Sequence, residues 1–173
     1  MTPETISRLR VRYAETDQMG IAWHGNFLAW FEVGRTDLLR HTGLTYRDLE
    51  LQGLRLPVIE AHTRYLRPAR YDDALEIHTA LAELRGARLR FEYTVRREGE
   101  GQLLALGSTE HAAVDPQGRP RRLPEKLRGR LTGAFLTGNE PLTRQGGSGG
   151  SARAIAVARR TGPSEPPEMR LVL

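Results

Sequence analysis

Cysteine is absent from the chain. That excludes disulfides, a thiolate nucleophile and any cysteine-ligated metal. Lysine is almost absent: Lys126 stands alone, and every other basic side chain apart from histidine is arginine. Long apolar runs are missing too. Runs such as residues 103–106 and 154–158 fall far short of the roughly 20 apolar residues that span a bilayer as a helix. The opening residues, MTPETISRLR, hold no apolar stretch of the kind a secretory signal needs. Together these absences lead us to expect a soluble cytoplasmic protein with no membrane span.

What is present is a chain of 173 residues with a net charge of +5, enough to bury a core as one domain. Its arginines suit oxyanions, because the planar guanidinium offers two parallel donors. They are dispersed and mostly neighboured by acids, without the clustered basic and aromatic residues of a nucleic-acid surface. No nucleic-acid partner is expected. Composition shifts near residue 138, where GNEPLTRQGGSGGS and later GPSEPPE read as linker or tail around a helix-compatible SARAIAVARR. We expect a folded domain over residues 4–137 and a flexible C-terminal tail over 138–173. Within that tail, Gly146 to Gly150 fits the spacing of a serine nucleophile elbow, but no strand precedes it.

Periodicity orders the domain. Residues 7–14 alternate as a strand with Leu9, Val11 and Tyr13 on one face. Over 26–42 the spacing turns helical: Phe27, Phe31, Gly34 and Leu38 form one stripe widened by Trp30. Gly43 is a helix stop, and Thr45 with Asp48 predicts a capping box opening a short helix through Leu51. Residues 56–67, 74–84, 87–98 and 102–115 then alternate as strands joined by short turns. Short links favour antiparallel pairing, so the expectation is a four-strand meander. A last helix is expected from Pro124 to about Phe135. One long helix against an antiparallel sheet of about five strands is an α+β, two-layer solution.

One segment resists a regular reading: Tyr13-Ala-Glu-Thr-Asp17-Gln-Met-Gly20-Ile-Ala-Trp23-His24-Gly25-Asn26-Phe27. Asp17, Gly20, His24, Asn26 and Phe27, spaced across a strand-to-helix switch, resemble the 4-hydroxybenzoyl-CoA thioesterase family of hot-dog-fold proteins. Residues 65–73 (YLRPARYDD) and the ending VDPQGRPRRLPE are similar to that family as well, so the resemblance covers about residues 8–132. It implies a long central helix wrapped by a curved antiparallel sheet, subunits joined edge to edge as homodimers or homotetramers, and hydrolysis of an acyl-CoA substrate. It also implies that Asp17 is the acidic catalyst and that His24 marks the backbone N–H receiving the thioester carbonyl. Histidine at that position resembles the branch acting on aliphatic acyl-CoAs; hydroxybenzoyl-type members carry tyrosine.

The chemistry is consistent with those residues. Thioester hydrolysis needs a base or nucleophile and a site for the developing oxyanion. Lacking cysteine and any credible serine triad, the chain offers Asp17 for the first role, as general base or as nucleophile. The N-terminus of the helix after His24 offers unpaired N–H groups for the second. Gly20 lets the loop turn tightly and a ligand approach. Trp23, Gly25 and Asn26 line the same segment as candidate substrate contacts, although Asn26 also reads as an ordinary N-cap and Trp23 as core or pocket wall. Glu32, on the helix, reads as a solvated or interfacial residue. Arg67, Arg85 and Arg88, with Arg90, are candidates for the CoA phosphates, supplied in part by a second copy. The five histidines, at 24, 41, 62, 78 and 111, show no metal-ligand spacing, although His62 and His78 could meet across a sheet; neither metal nor cofactor is expected. The competing readings are a module of this fold that binds acyl-CoA without hydrolysing it, and a thioester hydratase or dehydratase, for which no paired Asp and His is found.

Overall fold

The computed structural model describes residues 4–133. The expected tail over 138–173, its short helix and the last residues of the final predicted helix lie outside the described residues.

Five strands form one antiparallel sheet: β1 (Glu4–Arg10), β2 (Val58–Tyr65), β3 (Ala74–Arg85), β4 (Arg88–Arg97) and β5 (Leu103–Ala112). The helices are α1 (Asn26–His41), α2 (Tyr46–Leu51) and α3 (Glu125–Gly133). α1 packs across β1, β3 and β4, giving the hot-dog arrangement of a long helix on a curved sheet. Its predicted stripe is its buried face: Phe27, Trp30, Phe31, Gly34 and Leu38 are all buried, joined by Arg35, which periodicity alone does not flag. Phe31 stacks on Tyr93 of β4, ring centroids 4.3 Å apart.

Two glycines allow this close approach. A Cβ on Gly34 would collide with Thr79 Oγ1 of β3, and one on Gly107 with the Phe31 ring. At the far end of α1, Gly43 adopts φ +74°, so Leu44 N–H returns to Leu39 O and Gly43 N–H to Arg40 O. The capping box also forms. Asp48 N–H donates to Thr45 Oγ1 at 3.1 Å, and Thr45 N–H to Asp48 Oδ2 at 3.0 Å.

The strand order is β1-β3-β4-β5-β2, which corrects the expected four-strand meander. β3, β4 and β5 are consecutive neighbours, but β2 pairs with β5 at the sheet edge rather than with β3. The orientation inference holds, since β2 still runs opposite to β3. Adjacency fails because the link over residues 66–73 spans up to roughly 26 Å when extended, while β2 and β3 lie only three strand spacings apart, roughly 14 Å. The same order separates His62 from His78: His62 faces Ser108, and His78 lies between Ile6 and Thr94. The first strand is displaced as well. It ends at Arg10, a 3-10 turn follows at Tyr13–Glu15, and Tyr13 leaves the core to lie edge-on to Tyr71 at 5.6 Å.

No helix among the described residues is long and apolar enough to cross a membrane.

Candidate active site

The site segment is held by its backbone. Asp17 N–H donates to Ile21 O at 2.9 Å and Gly20 N–H to Asp17 O at 3.0 Å, closing a tight turn between the bridged residues Thr16 and Ala22. Gly20 sits at φ +73° with open space around it, a backbone conformation that favours glycine. Ala22 N–H donates to Ala69 O at 2.8 Å, tying this turn to the 66–73 link.

Asp17 is partly exposed. Its Oδ1 accepts from Met19 N–H at 2.8 Å, and its other carboxylate oxygen has no partner among the described residues. One carboxylate oxygen of Asp17 thus braces the turn while the other is left open. No hydrogen bond joins Asp17 to His24.

His24 is exposed, with its ring 5.1 Å from Trp23 and 6.4 Å from Tyr65. Two backbone donors precede α1 unused: the N–H groups of His24 and Gly25 donate to nothing among the described residues, whereas Asn26 N–H reaches Trp23 O and Phe27 N–H reaches His24 O. Gly25, not Asn26, takes the N-cap position and no side chain caps it. Asn26 is the first helical residue, and its amide donates back to Glu15 O at 2.7 Å. Trp23 is 51% exposed rather than core. Its ring lies so close over Gly25 that a Cβ there would strike it.

Beneath this segment is a residue that sequence reasoning passed over. Glu15 is buried. Its carboxylate accepts from Arg12 N–H at 2.7 Å, Arg12 Nη2 at 3.0 Å and Trp30 Nε1 at 3.2 Å, while its carbonyl also takes Trp23 N–H. Burial pushes the Glu15 carboxyl upward; the hydrogen bonds from Arg12 and Trp30 outweigh it and leave the group below the usual glutamate range. Only its short distance from α1 in sequence could have hinted at this role.

The arginine candidates separate into two places. Arg67 lies at the Asp17 end of the sheet, where its side chain donates to Leu103 O at 3.2 Å. Arg85 and Arg88 flank the β3–β4 hairpin at the opposite end. With Arg90, Glu83 and Glu110 they line a shallow hollow. Arg88 pairs with Glu110 at 2.6 Å, and Arg85 has no ion pair among the described residues. The length of β3, roughly 36 Å at about 3.3 Å per residue, stands between this hollow and the Asp17 turn.

A second polar cluster is fully internal. His111 Nδ1–H donates to Leu56 O at 3.0 Å, which leaves Nε2 to accept from the Thr109 hydroxyl at 2.9 Å; Thr109 in turn meets the Tyr93 hydroxyl at 2.7 Å. Burial, with the nearby Arg35 charge, holds His111 below the ordinary imidazole value against the opposing Leu56 hydrogen bond.

The Thioesterase-like superfamily profile matches residues 11–131. An acyl-CoA thioester hydrolase of Escherichia coli, YbgC, is 33% identical over 120 residues, covering 69% of this chain and 89% of its own. Among solved structures, a DHNA-CoA thioesterase from Staphylococcus aureus superposes with TM-score 0.67 at 34% identity, over 69% of this chain and 80% of the other. A 4-hydroxybenzoyl CoA thioesterase mutant complexed with 4-hydroxybenzoyl CoA shares the fold with TM-score 0.69 at 20% identity, over 75% of this chain and 99% of the other. The fold, the site segment and these matches lead to one identification: the chain belongs to the thioesterase-like superfamily, and is a thioester hydrolase built on the hot-dog fold.

Proposed function

We propose that the protein hydrolyses acyl-CoA thioesters to the free acid and CoA, with Asp17 as the catalytic carboxylate. The observation that carries this reading is an open carboxylate oxygen on Asp17 and, in the same short segment, two unused backbone donors, His24 N–H and Gly25 N–H, at the start of α1. The carboxylate activates water or attacks the thioester carbon itself, and the N–H groups steady the oxygen as negative charge builds. Collapse of the tetrahedral species expels CoA, whose thiolate takes up the proton lost by water. On the direct-attack route the acyl group is left as an anhydride on Asp17, and a water then hydrolyses it to the free acid and restores the carboxylate. Gly20 keeps the approach open, Gly25 makes room for the Trp23 ring, Trp23 and Asn26 border the approach, and Arg67 meets the ligand at the same end of the sheet.

The active assembly on this reading contains at least two copies. β2 is an edge strand with both faces exposed, and Val58, Ile59 and Tyr65 along it, with Leu66 just after it, are large and apolar, the kind of edge that pairs with another strand. β1, the other edge, is instead laced with ion pairs from Arg8 and Arg10. Two-fold antiparallel pairing of β2 edges brings the Val58 end of a second copy beside the Tyr65 end of the first. The Val58 end is level with His111 and Leu89, hence with the Arg85–Arg90 hollow. The distant arginines thereby reach the CoA phosphates across the interface.

The test is a thiol-release screen over acyl-CoAs of graded chain length with benzoyl- and phenylacetyl-CoA. Turnover on at least one is expected. No thiol release from any of them, with acyl-CoA still bound, would leave the non-catalytic module as the better reading.

A further inference from the structure

Tyr65, the last residue of β2, carries a hydroxyl that packing does not require. Its ring lies on the helix side of the sheet, edge-on to Phe27 with centroids 5.0 Å apart and planes at 82°; phenylalanine would make the same contact. The hydroxyl instead donates to the backbone oxygen of His24 at 3.0 Å.

That oxygen belongs to the planar peptide unit joining His24 to Gly25. The N–H at the other side of the same plane is that of Gly25, one of the two unused donors, and it points away from the carbonyl. Fixing the carbonyl therefore fixes the donor. The remaining hold on this carbonyl among the described residues is Phe27 N–H at 3.3 Å, a long bond in the first turn. The next residue is glycine, the most permissive of all for rotation of the plane.

We infer that Tyr65 is a positioning residue for thioester hydrolysis: its hydroxyl locks the His24–Gly25 peptide so that Gly25 N–H is already aimed where the oxyanion forms. The inference rests on the acyl-CoA hydrolase reading and adds a residue to it. An oxyanion donor acts only within about 2.7–3.1 Å of the charge it receives, so a plane free to rock loses much of its effect on the transition state while leaving ground-state binding nearly untouched. Because β2 is the exposed edge, this bond also ties the donor to the strand through which copies pair.

The experiment is Tyr65→Phe, assayed for kcat, KM and melting temperature on whichever acyl-CoA the unaltered protein turns over fastest, with Tyr65→Leu beside it. Losing a donor outright costs about 100- to 1,000-fold; loosening one should cost Tyr65→Phe roughly tenfold in kcat, with KM within about twofold and an unchanged melting temperature. Tyr65→Leu, which also loses the ring contact, should fall in both kcat and melting temperature. Unchanged kcat in Tyr65→Phe overturns the inference. So does a loss of kcat matched by a loss of melting temperature, or a raised KM at constant kcat, either of which assigns Tyr65 to packing or binding. An unaltered protein that releases no thiol from any acyl-CoA sinks the parent reading instead, so the two failures are distinct.

Discussion

Replacing Glu15 by glutamine tests whether the floor of the site is built as described. The carboxylate takes three hydrogen bonds, two from Arg12 and one from the Trp30 indole. Glutamine keeps one acceptor oxygen and turns an NH2 group toward a donor. Hydrogen bonds to charged groups contribute about 1.5–3 kcal/mol each, but Arg12 is largely exposed and its ion pair is screened by solvent. A net loss of about 2 kcal/mol at pH 7 is therefore expected, which for a chain of this size lowers the melting temperature by roughly 4–8 °C. The sign of the pH dependence follows from the depressed carboxyl. Stability from Glu15 is complete above the usual glutamate value near 4.5 and is lost as pH falls through the lower folded value. Thermal melts of both proteins from pH 7 down to pH 3 should show the gap closing at the acid end. A variant as stable as the parent at pH 7, or a gap independent of pH, would refute this account of the Glu15 cluster.

Gly34→Ala forces a Cβ into Thr79 Oγ1 and should cost about 1–3 kcal/mol through overpacking, read in urea unfolding. His111 is held neutral among Thr109, Leu56 O and the Arg35 charge. Its contribution to stability is complete above about pH 6.5 and is lost as pH falls from there through the lower folded value, so His111→Gln should flatten the stability slope below pH 6.5. Ile59→Lys with Leu66→Lys places charge on the exposed β2 edge; sedimentation should report a single chain, and turnover should fall with assembly. A dimeric, fully active double variant would contradict the β2 pairing.

The parts of this fold legible in the sequence are those set by local periodicity. The Phe27–Leu38 stripe, the Gly43 stop and the Thr45–Asp48 box depend on residues a few positions apart, and each lies where spacing puts it. Strand order does not have that property. Alternation marks β2 as a strand, but not that β5 rather than β3 lies beside it, because the 66–73 link is long enough for either. Tyr13 illustrates another limit: it continues the alternation of β1, yet the Arg12–Glu15 contacts turn the chain out of the sheet first. At the site, Asp17, Gly20 and His24 are marked by their spacing, whereas Glu15 and Tyr65 are not. Glu15 takes Arg12 from three positions back but reaches the site through Trp30, 15 positions on, and Tyr65 acts on a partner 41 positions away, separations that no local pattern encodes.

The central claim is that the open oxygen of Asp17 carries the chemistry, and Asp17→Asn measures it most directly. The amide keeps the shape of the side chain and an oxygen to accept from Met19 N–H, so the turn and the melting temperature should hold, and acyl-CoA should still bind. Turnover should drop on the order of 100-fold or more, the scale of losing a positioned base or nucleophile. An Asp17→Asn protein with unchanged kcat and a lowered melting temperature would show that Asp17 only braces its turn.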